Sequence, residues 1–322
     1  MMHLFDILLI GVLAWIAIGS TSETKLFKSI VMFVVFGLFM SLAWIRLGSP
    51  DVALAEAAIG SGVTGVLLLD AAGHLRRRPT PYPEELAPGT EERTPMRSRI
   101  KLMPLLASLA ALVIIATTVI ALPPTAPGLS VEMSTNAETI HIKNVVTAVL
   151  LDFRGYDTLL EISVLMLATV AVLSLRVPPG EGRGRLAGES GLLLGSLAQL
   201  VAPFMIVIAG FLVWVGSSGP GGAFQAGAVL GAGGILLALA GYDKPAWARE
   251  SVIRFALTIG LLGFIAIALL PVLGGGALLE YPDSQRKTLL LLLEGLLTLS
   301  IGASLVSLFL ASASRGRDEG DR

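Results

Sequence analysis

Nine apolar stretches dominate the chain, and they have about the length that a helix needs to cross a lipid bilayer. A spanning helix needs about 17–25 mostly apolar residues, because the hydrocarbon core holds no water to satisfy free backbone groups. Hydrophobic residues make up 54% of the chain, charged residues make up 15%, and the mean hydropathy is +0.80. We therefore predict an all-α, polytopic membrane protein. Its transmembrane helices are expected near residues 4–19, 27–46, 51–73, 102–122, 157–176, 192–216, 222–242, 251–272 and 287–311.

The distribution of basic residues predicts the orientation of these spans. Connections on the cytoplasmic side of a membrane protein collect Lys and Arg. If the amino terminus lies outside, all but five of the 23 Lys and Arg residues fall on the cytoplasmic side. Because the number of spans is odd, we expect the amino terminus outside and the carboxyl terminus in the cytoplasm.

Two polar linkers divide the spans into groups of three, two and four. Residues 79–101 are rich in Pro, Arg and Glu, and residues 178–190 combine Gly, Pro and charged residues, so neither segment can enter the bilayer. Residues 134–153 alternate apolar and polar side chains, which predicts an amphipathic helix at the outer surface. The predicted modules are 1–78, 102–177 and 191–314, followed by a polar tail at 315–322.

The composition excludes several kinds of chemistry. The chain has no cysteine, which rules out thiolate-bound iron–sulfur clusters, disulfides and cysteine zinc sites. The three histidines lie far apart and have no metal-ligand spacing, and no basic patch with interleaved aromatic residues suggests nucleic-acid binding. With no catalytic motif either, we predict neither an enzyme nor a resident metal or cofactor.

Two acids lie at the start of the fifth predicted span. Asp157 and Glu161 are four residues apart and therefore share one helix face. Acids inside a membrane are costly and mark ion or proton routes, and two close carboxylates cannot both ionise cheaply unless a cation neutralises them. The pair could therefore exchange a proton for a transiently bound Na⁺. Alternatively, Asp157 caps the helix, and Glu161 pairs with Arg154 or Lys143.

Two further acids lie deeper in apolar surroundings. Glu56 follows Asp51 by five residues in the third span, and Glu294 lies about 10 Å inside the ninth span at the helical rise per residue. We interpret Glu56 and Glu294 as candidates for an ion or proton path on the outer half of the membrane. The alternative is that each is a protonated or paired packing acid. Asp51, Asp6 and Asp70 are interpreted as structural residues at helix starts or interfaces.

Small residues predict places of close helix packing or subunit contact. A small-residue face follows Glu56, a Gly-rich turn joins the sixth and seventh predicted spans, and a G-x-x-x-G pair follows that turn. The residues assigned to packing or subunit contact are Gly60, Gly65, Pro220, Gly221, Gly222, Phe224, Gln225, Gly227 and Gly231.

Three stretches of the sequence resemble known membrane modules, in the same order. Residues 142–162 contain LLDFRGYDTLLE and resemble the VVN-x-ILVDFRGFDT-x-GE run near the carboxyl end of the large subunit of Mrp-type multisubunit Na⁺/H⁺ antiporters. Residues 49–67 resemble the three-helix MbhD-like segment, including the acid at Glu56. Residues 219–225 resemble the N-x-PGGGFQGG signature of the small MnhB-type subunit, except that the Asn is absent and Ala223 replaces a glycine.

The resemblance implies a fusion of the MbhD-like and MbhE-like ends of the large subunit with an MnhB-like domain. It implies a membrane subunit of an Mrp-type Na⁺/H⁺ antiporter complex in a prokaryotic cell (inner) membrane. The expected partners are other Mrp-type subunits, including the proton-channel subunits that resemble complex I antiporter modules, which another chain is expected to supply. The family acids carry over to Glu56, Asp157 and Glu161, but not to Glu294.

Two other functions are compatible with this sequence. The same chain could serve in the membrane arm of a membrane-bound hydrogenase or a related redox-driven ion pump. It could also be a purely structural scaffold in such a complex. A stand-alone transporter is the least favoured alternative, because Asp70 is the only acid near a span on the inner side.

Overall fold

The computed structural model describes residues 2–77, 97–122, 142–175, 192–242 and 250–315, and the regular structure within these ranges is helical. Among the described residues, two π-helices interrupt the α-helical pattern, at Glu56–Val63 and Val149–Phe153. The α-helices are α1 (Met2–Ser22), α2 (Leu26–Arg46), α3 (Pro50–Ala55), α4 (Thr64–Arg77), α5 (Arg97–Ala121), α6 (Val145–Ala148), α7 (Gly155–Ser174), α8 (Leu192–Val215), α9 (Ala223–Leu239), α10 (Glu250–Leu273) and α11 (Arg286–Arg315).

Eight helical segments in the described ranges are long and apolar enough to cross a membrane, so the chain is a multi-pass helical membrane protein, as predicted. They coincide with eight of the nine predicted spans. The other predicted span, 222–242, forms the 17-residue helix α9. At about 1.5 Å per residue, α9 is about 25 Å long and slightly shorter than a hydrocarbon core of about 30 Å. The orientation of the termini stays a prediction.

The third span is a composite of α3, the π-helix Glu56–Val63 and α4. Its π-helical sequence, EAAIGSGV, is made largely of small residues. Thr64 Oγ1 donates a hydrogen bond to the Ile59 carbonyl, five residues earlier, at 2.8 Å. The longer repeat rotates the side chains that follow it, and Glu56 lies where this change begins.

The chain divides into two compact units. One comprises residues 1–78 and 137–322, and the other comprises residues 79–136. The second unit contains helix α5, a 25-residue apolar helix with Pro104 near its start. The two helices of the predicted middle module, α5 and α7, therefore fall in different units.

Helix α11 is the central element of the larger unit and packs against α7, α9 and α10. Leu293, Leu297 and Ile301 are completely or almost completely buried along it. The glycines of α9 allow this close approach: a Cβ atom on Gly227 would lie 2.7 Å from Ile301, and one on Gly231 would lie 3.0 Å from Leu305. The predicted G-x-x-x-G packing face is thus used against α11 of the same chain.

The predicted amphipathic segment 134–153 is described only from residue 142. Asn144 caps the short helix α6 by accepting a hydrogen bond from the Val146 amide at 2.9 Å, and the π-helix Val149–Phe153 continues it. Ala148 and Leu151 are buried, whereas Phe153 is exposed. This short helical segment therefore presents one face to the interior of the larger unit.

Candidate functional site

A buried polar junction joins α3, α6 and the Gly-rich turn between α8 and α9. The Asp51 side chain, in the first turn of α3, accepts a hydrogen bond from the Gly221 amide at 3.0 Å and a longer one from Asn144 Nδ2 at 3.4 Å. Asp51 is only 7% exposed. The interpretation of Asp51 as a residue of its own helix start is therefore incomplete, because its carboxylate binds a turn 170 residues further along the chain.

Two amides complete this junction. Asn144 Nδ2 donates to the Gly219 carbonyl at 2.8 Å, and Gln225 Nε2 donates to the Asp51 carbonyl at 3.2 Å. The backbone amides of Lys143 and Asn144 both donate to Ser217 O, at 3.0 and 3.2 Å. These bonds satisfy polar groups that would be costly to bury unpaired, so they hold the turn in one position.

The Gly-rich turn requires glycine at two positions for different reasons. Gly222 has φ +108° and ψ −175°, a conformation that is essentially restricted to glycine. A Cβ atom on Gly216 would lie 2.8 Å from the Gly222 backbone and 3.1 Å from Glu294 Oε1. The same carboxylate oxygen lies 3.1 Å from a Cβ built on Gly222. The predicted tight turn is therefore packed directly against the Glu294 side chain.

Glu294 is the most deeply buried of the predicted path acids, at 3% exposure. It borders a cavity of about 50 Å³ together with residues from α6, α7, α9 and the Gly-rich turn. None of the described residues that line this cavity is basic, and none of the described residues donates a hydrogen bond to the Glu294 carboxyl. Burying an unpaired carboxylate is expensive, so this site favours a bound proton or a bound cation.

Glu56 occupies a different environment from Glu294. It is half-buried at the start of the π-helix, and its carboxyl group lies over Gly60, where a Cβ atom would be 2.5 Å from Oε1. The same oxygen lies 3.2 Å from a Cβ built on Gly37 of α2. Gly60 thus makes room for the Glu56 side chain, whereas Gly65 packs against Val34 of α2.

Asp157 and Glu161 face outward from the chain. Asp157 forms an ion pair with Arg154 at 2.7 Å, with side-chain exposures of 41% and 69%. Glu161 is exposed on α7. The four predicted path acids therefore do not line one internal route: Glu294 and Glu56 are turned inward, whereas Asp157 and Glu161 are available to lipid or to a partner.

The remaining part of the DFRGYDT motif forms a second buried contact, which no sequence pattern indicated. Asp152 Oδ2 lies 3.6 Å from Arg286 at the start of α11, with side-chain exposures of 11% and 15%. Arg286 also contacts Asp283 at 3.1 Å and donates to the Tyr281 carbonyl at 3.0 Å. A Cβ atom on Gly155 would lie 3.3 Å from Leu279. The motif thus attaches the start of α7 to the loop between α10 and α11.

This contact changes the acid–base properties of two groups outside the spans. Burial raises the pKa of Asp152; Arg286 offsets part of that increase, and Asp283 adds to it. Burial also raises the pKa of Tyr281 to about 12, with a smaller contribution from the charge of Asp152. Asp152 belongs to the DFRGYDT motif, which the sequence analysis identified. No feature of the sequence indicated that Arg286 would be its partner.

Three family models match this chain in succession. The MbhD model, named for one of the subunits of MBH, matches residues 9–77, and the MbhE model, named for another MBH subunit, matches residues 97–181. MnhB, described as a domain related to the MnhB subunit of Na⁺/H⁺ antiporter, matches residues 193–313. The resemblance to these three modules that the sequence predicted is confirmed.

Relatives agree with these matches. A probable K⁺/H⁺ antiporter A/B subunit from Rhizobium meliloti (strain 1021) is 28% identical over 280 residues, covering 76% of this chain and 27% of that protein. A chain in the solved structure of the Mrp complex from Dietzia sp. DQ12-45-1b is similar, with 21% identity and a TM-score of 0.75. The match covers 96% of this chain and 35% of the Mrp chain.

A second solved structure is similar over a smaller part of the chain. It is the membrane-bound sulfane sulfur reductase (MBS), an archaeal respiratory membrane complex, with 23% identity and a TM-score of 0.54. The match covers 66% of this chain and 98% of that one. By contrast, this chain spans about a quarter of the length of the curated antiporter relative and about a third of the Mrp chain.

Proposed function

We propose that this chain, which carries MbhD-, MbhE- and MnhB-related segments in that order, is a membrane subunit of an Mrp-type cation/proton antiporter complex. The observation that carries the proposal is the polar junction itself. Side chains from all three matched segments meet there around one Gly-rich turn, and the buried carboxyl group of Glu294 packs against the same turn. Such an arrangement couples the three segments and places an acid where a proton or a cation can bind.

The four predicted path acids lie either inside the chain or on its surface, and we assign a different role to each group. Glu56 and Glu294 serve sites inside the chain, whereas Asp157 and Glu161 present carboxylates on its surface. The surface pair would complete a cation path together with a neighbouring subunit. Proton movement would belong largely to partner subunits that resemble complex I antiporter modules, in a prokaryotic inner membrane. The chain would have no catalytic reaction and no resident cofactor, and Na⁺ or K⁺ would be a transient ligand.

The proposal is tested by cation/proton exchange in vesicles that hold the assembled complex. Wild type and Glu161→Gln are compared with NaCl and with KCl, because the family description and the curated relative name different cations. We expect Glu161→Gln to abolish exchange while a native gel still shows an intact complex. Glu280→Gln, in an exposed loop, is the matched control and should exchange normally. Full exchange by Glu161→Gln would exclude this acid from the path.

Membership of a respiratory redox complex is the second candidate function. Two of the family models carry MBH names, and almost the whole of a chain from the sulfane sulfur reductase complex matches this fold. In that case redox partners would supply the driving energy. Mass spectrometry of the purified complex separates the two functions, since redox subunits would be present only in the second.

A purely structural role predicts a different pattern of variants. Glu56→Gln and Glu161→Gln would then leave transport unchanged, whereas a bulky residue at Gly227 or Gly231 would prevent assembly. Because Gly227 and Gly231 pack against α11 of the same chain, a bulky residue at either position disturbs that packing in both roles. Exchange by the Glu56→Gln and Glu161→Gln variants, in complexes that a native gel shows to be intact, therefore distinguishes a scaffold from a path-forming subunit.

A further inference from the structure

The cavity beside Glu294, which we call the Glu294 cavity, has hydrogen-bond donors in its lining. Ala223, Phe224 and Gln225 form the first turn of α9, and all three line the cavity. Amides in the first turn of a helix have no partner within that helix, and the N-cap residue Gly222 has no side chain to accept from them. None of the described residues accepts a hydrogen bond from these three amides. The first turn therefore presents free N–H groups and the positive end of α9.

The Glu294 carboxyl group lies at this helix end. Its Oε1 atom is 3.1 Å from the point that a Cβ atom on Gly222 would occupy. The side chain of a capping residue extends from that same point towards the first-turn amides. Glu294 is 3% exposed, and none of the described residues donates a hydrogen bond to its carboxyl group. The carboxyl group therefore lies where a helix cap would lie, although it belongs to α11 and not to α9.

The same lining also contains acceptors. Gln225 Nε2 donates to the Asp51 carbonyl and keeps a second N–H, while its Oε1 atom lies 3.7 Å from the Cβ position on Gly222. Thr147 Oγ1 and Thr158 Oγ1 donate to backbone carbonyls at 2.7 and 2.6 Å, so each oxygen retains only lone pairs for a further partner. The lining thus offers both N–H donors and oxygen acceptors.

Donors and acceptors in one lining determine which occupant fits. The amide N–H groups and the positive helix end disfavour a bare cation, and an ionised Glu294 disfavours an anion. Water both donates and accepts, and therefore matches both kinds of group. About 50 Å³ of the cavity is open to the centre of a water molecule. Water here can link the Glu294 carboxyl group to the first turn of α9.

We propose that the Glu294 cavity is a hydrated proton-binding site, in which Glu294 takes up and releases one proton through cavity water. The ionised carboxylate accepts from water that the α9 amides orient, and the positive helix end balances its charge. The protonated form donates its O–H to water or to Gln225 Oε1. On uptake, a hydronium ion loses one O–H bond and the carboxylate gains one, which leaves neutral water and a neutral acid. Release reverses this step.

The surroundings leave Glu294 without a direct ionic partner. Helices α8 and α9 have no charged residue, and Glu294 is the only charged residue among the described residues that line the cavity. The acid in contact with this lining is Asp51, which accepts from the Gly221 amide. Charged residues of the other neighbouring elements also lie outside the lining, among them Asp70 on α4, Asp152 in the second π-helix, Asp157 and Glu161 on α7, and Arg254 on α10.

This inference deepens the proposed function and rests on it, because it names the proton as the ligand of one acid in an antiporter subunit. It also links that proton to the polar junction. Gln225 faces the Glu294 cavity and donates to the Asp51 carbonyl, so hydrogen bonds connect the site on α11 and α9 to the start of α3.

The test follows the protonation of Glu294 by infrared spectroscopy of the purified full chain in detergent. A protonated carboxyl group has a carbonyl-stretch band that a carboxylate lacks. We expect a band that appears in acid, disappears in alkali and titrates as one proton. It should shift promptly in D₂O, because cavity water exchanges the proton. Glu294→Gln should lose this band, whereas the exposed control Glu280→Gln should retain it.

Two further variants assign the band. Glu294→Asp keeps a carboxyl group on a shorter side chain and should move the band, which identifies it if Glu294→Gln does not fold. Gln225→Leu should also move it, because the protonated carboxyl group loses an acceptor. The matched control Gln285→Leu changes an exposed glutamine and should leave the band in place.

Three results would overturn the site. A band that persists at every pH and does not shift promptly in D₂O would identify a dry packing acid. A spectrum without the band at every pH would mean that Glu294 is permanently ionised. A band that Gln225→Leu does not move would remove the link to the polar junction.

The titration does not depend on transport. Reversible protonation of Glu294 without any exchange by the wild-type complex would refute the proposed function and leave the proton site intact. Exchange by the complex without titration of Glu294 would refute the site and leave the proposed function intact.

Discussion

Arg286→Gln is expected to destabilise the larger unit, because it removes the cation that compensates Asp152. The two side chains are 15% and 11% exposed, and their charged atoms lie 3.6 Å apart. With an effective dielectric constant of about 20, their attraction is about 4–5 kcal/mol. The variant also loses the hydrogen bond to the Tyr281 carbonyl, but it no longer carries the cost of desolvating a guanidinium group. We expect a net loss of about 2–4 kcal/mol in the free energy of unfolding at neutral pH.

The pKa of Asp152 determines how the destabilisation by Arg286→Gln changes with pH. Burial and Asp283 raise the pKa of Asp152, while Arg286 lowers it, so removing Arg286 raises that pKa further. An acid with a raised pKa in the folded state binds more protons when folded, so folding is favoured as the pH falls. The destabilisation by Arg286→Gln should therefore be largest at neutral to alkaline pH. It should decrease as acid protonates Asp152.

The assay is reversible unfolding of the detergent-solubilised chain from about pH 5 to about pH 8, a range that begins just above the ordinary carboxyl pKa. Lys287→Gln removes a neighbouring exposed basic residue and should have little effect. Adding Asp152→Asn to Arg286→Gln should restore part of the lost stability, because the unpaired charge is then gone. Equal stability of Arg286→Gln and wild type at the alkaline end, or a loss that grows in acid, would refute this reasoning.

Two further predictions concern packing and the polar junction. Gly227→Leu should reduce stability by about 1–3 kcal/mol or prevent folding, because its side chain would overlap Ile301. Gly11→Leu is the control and should be tolerated, because a Cβ atom on Gly11 has no other atom within 4 Å. Unfolding of both variants in detergent checks this, and equal stability would contradict it. Asp51→Ala leaves the buried Gly221 amide without its acceptor and should cost about 1–3 kcal/mol. Hydrogen exchange should then speed up at Gly221; unchanged protection would mean that the bond contributes little.

The candidate site was predictable in its components but not in its arrangement. Glu294 could be selected from the sequence because it is an acid within an apolar span. Gln225 could be selected because it belongs to a recognisable Gly-rich stretch. Their proximity could not be predicted, since it depends on how α9 packs against α11. Asp51 shows the same limit: its position after Pro50 indicated a helix start, while its hydrogen bond to Gly221 depends on a distant turn.

Asp157 and Glu161 illustrate a related limit. Their four-residue spacing correctly places them on one helix face, but periodicity does not say whether that face is turned inward or outward. In the structure Asp157 binds Arg154 at the surface, and Glu161 is exposed beside it. Any role in a cation path therefore depends on a neighbouring subunit.

The sequence by itself determined the class of this protein and most of its spans. Those properties follow from local features, since a long apolar helix satisfies its own backbone hydrogen bonds in a bilayer, whereas a charged linker is costly there. The tertiary structure alone decided which polar groups meet: Asp51 with Gly221, Asp152 with Arg286, and Glu294 with the Gly-rich turn. These partners lie far apart in the chain, and helix packing brings them together.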